Sequence, residues 1–190
     1  MATDPEPEVA PDAGTSRLDW QGTADGGQLL APPVSAFLAG WPGAELVSVA
    51  EIDPELADTA AFCQAYGVLP AESANCVVVS GKRGGEVRFA ACVVLATDRA
   101  DVNGAVRRLL DVRKASFAPM AEAVELTGME YGGITPIGLP AGWPVLVSAE
   151  VAAAGPVVIG SGLRRSKLRL DGALLGTLPG AAVVAELSQR

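Results

Sequence analysis

Histidine is absent from this 190-residue chain. Its absence excludes Ser–His and Cys–His catalysis, histidine general bases and most zinc sites in one step. Cysteine is scarce. Cys63, Cys76 and Cys92 lie in apolar surroundings without metal-like spacing, and they read as reduced core thiols. No apolar run approaches the eighteen residues that a membrane-spanning helix needs. The first sixteen residues, Met1 to Ser16, lack the basic start and apolar centre of a signal peptide. They are acidic and rich in Pro and Ala, and are expected to form a disordered tail on a cytoplasmic protein. A metal or organic cofactor is not implied, so an enzyme built from this chain works with carboxylates, lysine, hydroxyls, backbone dipoles or the substrate itself.

The composition, 49% hydrophobic and 19% charged, suits one globular domain with a substantial core, placed at 17–190 after the tail. The net charge of −8 argues against broad nonspecific binding to nucleic acid, and DNA is not an expected partner. Asp4, Glu6, Glu8 and Asp12 in the tail carry part of that charge. The cations cluster at Lys82, Arg83 and Arg88, at Arg107, Arg108, Arg113 and Lys114, and at Arg164, Arg165, Lys167 and Arg169. Each cluster reads as either an ordinary solvated face or a local phosphate-facing patch.

The periodicity predicts a short helix over 33–39 and a strand over 45–52. Asp53-Pro54 then opens a helix running to about Tyr66, with Gly67 as its stop. A hairpin follows, from Cys76 to Ser80 and from Glu86 to Ala96 across Gly81-Lys82-Arg83-Gly84-Gly85. Asp101 opens a helix, and a second helix begins near Pro119 and stops at Gly128. Strands are expected over 145–148, 157–159, 167–170 and 181–187, with a short helix over 173–178. Strands and helices alternate irregularly, which favours an α+β fold with a mixed sheet over a doubly wound one. The hairpin glycines lack Walker spacing and lead into a strand, so they are a turn and not a phosphate loop.

The most informative stretch is Thr127-Gly128-Met129-Glu130-Tyr131-Gly132-Gly133-Ile134-Thr135-Pro136-Ile137-Gly138. Its glycines tolerate backbone angles closed to other residues and allow bare N–H groups to approach a ligand. Proline fixes the turn that follows. No dinucleotide fingerprint is completed there. Gly160-Ser161-Gly162, followed by Arg164-Arg165, joins two strands and reads as a hairpin turn or an anion site. Ser116 and Thr135 are hydroxyls placed to line a pocket or to bond nearby backbone.

These pieces, in this order, resemble the YbaK/ProX family of aminoacyl-tRNA deacylases, which includes the editing domain associated with prolyl-tRNA synthetase. Gly132 to Gly138 resembles the family's Gly-x-x-x-Pro loop, and Gly160 to Arg165 its late glycine loop. The stretch 72–79 resembles the approach to its first central strand. The resemblance runs from about Asp53 to Leu187. It implies a single α+β domain, with a largely antiparallel sheet and flanking helices, that hydrolyses the ester of a mischarged tRNA. An ester is already activated, so a positioned water and backbone N–H groups for the oxyanion suffice.

By this resemblance, Asn75 and Gly132 are the catalytic candidates. Ser116, Gly133, Ile134, Thr135, Pro136, Ser161 and Gly162 would line the substrate pocket. Arg164, Arg165 and Lys167 would hold the 3′ end of the aminoacyl-tRNA, the one partner implied. One departure stands out. Members of the family that edit usually carry a lysine just before the first central strand, and the matching position here is Ala74. Lys114, Lys167 or an arginine from another segment would have to replace it. Three readings follow: a divergent deacylase, an inactive relative that binds aminoacyl-tRNA or an amino-acid-like ligand, or an interaction module on the same scaffold. An open pocket at 132–136 favours the first two, and one plugged by Phe117, Met129 or Tyr131 favours the third. The amino acid edited and the oligomeric state are not implied.

Overall fold

Two sheets packed face to face organise the chain, and a computed structural model describes residues 17–189. The expected acidic tail lies outside the described residues. The first sheet holds β1 (Gln21–Gly22), β2 (Ser48–Glu51), β8 (Pro156–Gly160) and β9 (Ser166–Asp171), in the order β1-β2-β9-β8 and antiparallel throughout. The second holds β3 (Ala74–Arg83), β4 (Glu86–Leu95), β6 (Ala115–Phe117), β7 (Val145–Ser148) and β10 (Ala181–Val184). Its order is β10-β7-β4-β3-β6, with β4-β7 and β7-β10 parallel and the other pairs antiparallel. A small ladder pairs β5 (Arg99–Ala100) with β11 (Ser188–Gln189). The fold is therefore α+β with mixed, mostly antiparallel sheets.

The main core lies between the sheets. Val49, Val157 and Ile159, and Leu168 and Leu170 from the first, with Val47 just before β2, meet Val93, Val145 and Val147 from the second. Helix α1 (Pro32–Leu38) adds Val34 and Leu38, and α5 (Ala149–Ala153) adds Val151. A second cluster covers the outer face of the five-stranded sheet, where Val79, Cys92 and Val94 meet Val102, Val106 and Leu110. These last residues come from a π-helical turn, Val102–Val106, and from the end of α3 (Arg107–Leu109). The third cluster lies under α2 (Thr59–Tyr66), where Phe62 and Cys63 cover Ala50, Ile52 and Val158. Helices α4 (Met120–Thr127) and α6 (Gly172–Leu175) complete the chain.

The predicted hairpin is present with a tighter turn. Gly84 and Gly85, at φ +59° and +89°, form its two-residue loop. The helix expected from Asp53 to Tyr66 is split. Asp53 accepts a hydrogen bond from Glu55 N and starts only a 3-10 turn, Pro54–Leu56. Asp58 then caps α2 by accepting from Ala60 N. Two capping carboxylates five residues apart each begin their own helix, and the link between them leaves the Ala57 carbonyl free for another donor. The strand expected over 45–52 starts later, because residues 44–46 form a 3-10 turn.

Candidate functional site

The five-stranded sheet is open along one edge. Strand β3 pairs with β6 only from Val79 to Gly81, and a single parallel bridge joins Ser73 to Val158. Among the described residues, 74–77 have no ladder partner on that side, so backbone groups there are available to a ligand. A cavity of about 480 Å³ lies along this gap. Its walls come from the start of α2 (Asp58, Thr59), the open edge of β3, the rim residues Phe117 and Tyr131, the loop residues Gly132 and Ile134, and Gly160, Arg164 and Lys167.

The glycine loop is held over the end of β8 by backbone contacts. Gly133 O accepts from Gly162 N at 2.7 Å, and Glu130 N donates to Gly162 O at 2.8 Å. The Glu130 carboxylate accepts from Arg164 N at 2.6 Å. The Arg164 guanidinium donates to Tyr131 O at 3.3 Å and to Pro54 O at 3.0 Å, clamping the loop to the turn before α2. Gly132 has φ +85° and is exposed toward the cavity, where a side chain would meet Arg164. The two glycine loops of the sequence thus form one interlocked unit.

The structure separates the expected site residues into two groups. Asn75, Gly132, Ile134, Arg164 and Lys167 line the cavity. Asn75 Oδ1 accepts from the Thr59 hydroxyl at 2.7 Å, which orients the amide and leaves its NH₂ group as a donor. Ser116, Gly133, Thr135, Pro136, Ser161, Gly162 and Arg165 are not on the cavity wall. Ser116 is exposed on β6 opposite Ser80. Gly133 is pressed against the Leu163 backbone, and Pro136 faces a separate groove with Trp143 and Pro179. Ser161 is buried and shares its hydroxyl with Leu163 O, Ser166 O and Ser166 Oγ, which ties down the late loop from within. Thr135 is fully buried, and its hydroxyl has no partner among the described residues. Arg165 is exposed and donates to Gln28 O.

Ala74 also borders the cavity, but it is 4% exposed and belongs to the main core. Of the two lysines offered as substitutes for the family residue, Lys114 is exposed beside the hairpin at Gly81 and is not on the cavity wall. Lys167 is on the wall and only 8% exposed. Its Nζ donates to Ala57 O at 3.1 Å and stands 5.2 Å from the Phe62 ring centroid. Desolvation by burial lowers its pKa below the usual lysine value; Cys63 and Asp58 oppose that shift and Arg164 reinforces it.

Asp58 and Thr59 are wall residues that the sequence did not single out; Ser73 and Gly160 line the wall from segments named only as flanks, and Phe117 and Tyr131, named as residues able to plug the pocket, line it as rim residues. Only the Asp58-Thr59 cap carried a local signal. The others reach the cavity through long-range pairing. The clusters Lys82, Arg83 and Arg88, and Arg107, Arg108, Arg113 and Lys114, lie apart from this wall. Arg83 and Arg88 pair with Asp111 at 3.0 and 3.3 Å on an exposed face, which fits the solvated reading.

The thiols are not candidate nucleophiles. Burial pushes Cys92 up to about 12; it also raises Cys76, a half-buried wall residue, with Cys92 reinforcing that shift. Burial also raises Cys63, against a lowering contact from Ser73. A thiol-specific disulfide reagent at pH 8 should therefore label the native protein slowly and all three thiols rapidly once unfolded. A fast phase in the native protein would contradict this assignment. Among the described residues, no three His, Cys, Asp or Glu side chains are grouped to hold a metal. No helix there is long and apolar enough to cross a membrane.

Comparison with known proteins identifies the arrangement. Residues 53–178 match the aminoacyl-tRNA editing domain model. A crystal structure of a candidate trans-editing enzyme for prolyl-tRNA synthetase superposes with a TM-score of 0.71 at 24% identity, covering 84% of this chain and 97% of that one. A hypothetical protein of known structure superposes with a TM-score of 0.61 at 26% identity, covering 68% of this chain and 83% of that one. No curated protein matches the sequence significantly.

Proposed function

Because this chain belongs to the aminoacyl-tRNA editing domain family, we propose that it is a trans-editing deacylase that hydrolyses the ester of mischarged tRNA. The observation that carries this reading is the open cavity of about 480 Å³ along β3, bounded by the glycine loop. Met129 is buried in the core and away from the cavity wall, while Phe117 and Tyr131 are 63% and 59% exposed at the rim. None of the three residues capable of plugging the pocket does so.

In this reading the aminoacyl group sits between Gly132 and the open edge of β3. Asn75 supplies an oriented donor, and the backbone N–H groups of the loop and of β3 face the reacting carbonyl. Water is held against the carbonyl carbon, and its attack releases the amino acid and the free 3′ end. Phe117 and Tyr131 flank the mouth as flat apolar surfaces for the terminal bases, with Arg164 as the nearby cation. This stacking recognises any base, as a protein acting on a common 3′ end requires. The charge of −8 leaves little general attraction for the rest of the tRNA, so affinity should be concentrated at this mouth.

The test is single-turnover deacylation of a panel of mischarged tRNAs, with Gly132→Val as the disabled control. Rapid hydrolysis of one ester, lost in the variant, supports the proposal. Tight binding of a non-hydrolysable aminoacyl-tRNA without turnover would favour the second reading, an inactive binder, which the alanine at position 74 supports. Replacing Tyr131 or Phe117 by alanine should weaken binding of a 3′-terminal oligonucleotide by about 1–3 kcal/mol each. Fluorescence titration measures this. Unchanged affinity in both variants would remove the stacking role.

A further inference from the structure

We propose that Lys167, reaching the cavity from β9, is the cation that contacts the ester carbonyl oxygen, in place of the lysine missing at position 74. This rests on the deacylase reading above, and it assigns a residue that the family motif does not contain.

Lysine is almost never fully buried without a paired carboxylate. Lys167 is 8% exposed and forms no salt bridge among the described residues. An ammonium carries three N–H donors. One is used, toward Ala57 O at 3.1 Å, a carbonyl left free only because the helix expected over 53–66 is split at Asp58. The Phe62 ring covers another side at 5.2 Å, an attraction that fixes the head without using a hydrogen bond. The remaining donor capacity is uncommitted among the described residues, and the residue lies on the cavity wall. Burying such a charge unsatisfied is costly, so the site has the character of one completed by an electron-rich ligand atom.

The topology places this charge where the chemistry needs it. Lys167 is the register partner of Gly160, and the glycine loop crosses Gly160 at close range. Ser73 bridges to Val158 in parallel register, so Asn75 falls opposite the same end of β8. Asn75, Gly160 and Lys167 thus span the gap from β3 to β9, and all three are wall residues. Ala74 and Lys167 border the same cavity from different strands, which explains how a chain without the motif lysine retains a cation there.

The step balances without a co-reactant. A water oxygen bonds to the ester carbonyl carbon, and the carbonyl π pair moves onto the oxygen facing Nζ. Collapse of that oxyanion expels the ribose oxygen, which receives the proton the water gave up. The Lys167 ammonium stabilises the oxyanion, so its contribution is largest in the transition state.

The experiment uses the full chain and the ester found in the panel. Lys167→Met keeps length and apolar packing but removes the charge. It should lower the saturating single-turnover rate constant about 100-fold, while apparent affinity changes little. Lys167→Arg should retain a larger share of the rate than Lys167→Met. Propylammonium added to Lys167→Ala should restore activity, and propanol of similar size should not. Thermal melts establish that each variant is folded. A role limited to pinning Ala57 predicts no distinction between the amine and the alcohol, and that outcome overturns the proposal. So does a wild-type rate in Lys167→Met. If the unmodified chain is inert on every ester, the deacylase reading falls and this inference falls with it. An active wild type with an equally active Lys167→Met sinks this inference alone.

Discussion

Replacing Gly160 with alanine should lower deacylation about 100-fold, although the substituted methyl touches no reacting atom. The reason is the backbone that crosses it. A Cβ at position 160 would stand 2.3 Å from Gly133 O and 2.7 Å from Ile134 O. The loop must therefore lift by about 1 Å to reach ordinary contact distance. It has no cheap way to do so, because Gly133 O is hydrogen-bonded to Gly162 N and Gly133 itself lies against the Leu163 backbone. Lifting it displaces Gly132 from the cavity wall and loosens the Arg164 clamp on Tyr131 O. The overpacking should also cost about 1–3 kcal/mol of stability. Gly40→Ala is the matched control, since a methyl there meets nothing within 4 Å. Single-turnover rates and thermal midpoints for both variants check the prediction. A wild-type rate in Gly160→Ala would show that the loop position does not govern the chemistry.

The sequence made the scaffold legible where local signals and tertiary demands agree. The hairpin could be read because its two glycines supply the positive φ that a two-residue turn demands. Helix α4 could be read because Gly128 adopts φ +65° at its end. Strand β7 was placed at its observed bounds, 145–148, because both faces are buried and the apolar run is unbroken. The split before α2 was missed because two good capping signals, Asp53 and Asp58, compete within one apparently continuous helix. Only packing decides which of them prevails.

The candidate site was half legible. Gly132 and Asn75 were found through the resemblance, and the structure brings both to one cavity. Ser161 and Gly162 look like ligand-binding turn residues, yet both are buried behind the wall. The Ser161 hydroxyl is used within the late loop, and Gly162 gives space to the side chains of Ala31 and Val34. Lys167 shows the limit most clearly. The run Lys167-Leu168-Arg169-Leu170 alternates polar and apolar residues, as a strand with one solvated face would. That expectation holds for Arg169, which is exposed. It fails for Lys167 because α2, about a hundred residues earlier, covers that end of the face. No local pattern in β9 carries this information.

Truncating Phe62 to alanine should produce the largest loss of stability, about 3–5 kcal/mol. At this chain length each kcal/mol shifts the thermal midpoint by about 2–4 °C, so the melt should fall by on the order of 10 °C. Phe62 is fully buried and centres the cluster that joins α2 to the first sheet through Ala50, Ile52 and Val158. It also packs against the Tyr66 ring at 5.4 Å between centroids. The same residue covers the Lys167 ammonium, so the proposed role of Lys167 and the stability of the cluster both depend on one side chain. Phe62→Leu separates the two. Leucine preserves most of the apolar volume and should cost far less stability, but it offers no ring face to the cation. If the ring fixes the ammonium against the wall, Phe62→Leu should lower the single-turnover rate more than its melt would suggest, and Phe62→Ala should lower both. A leucine variant with an undiminished rate would make Phe62 a packing residue alone, leaving the Ala57 carbonyl as the contact that holds Lys167 in place.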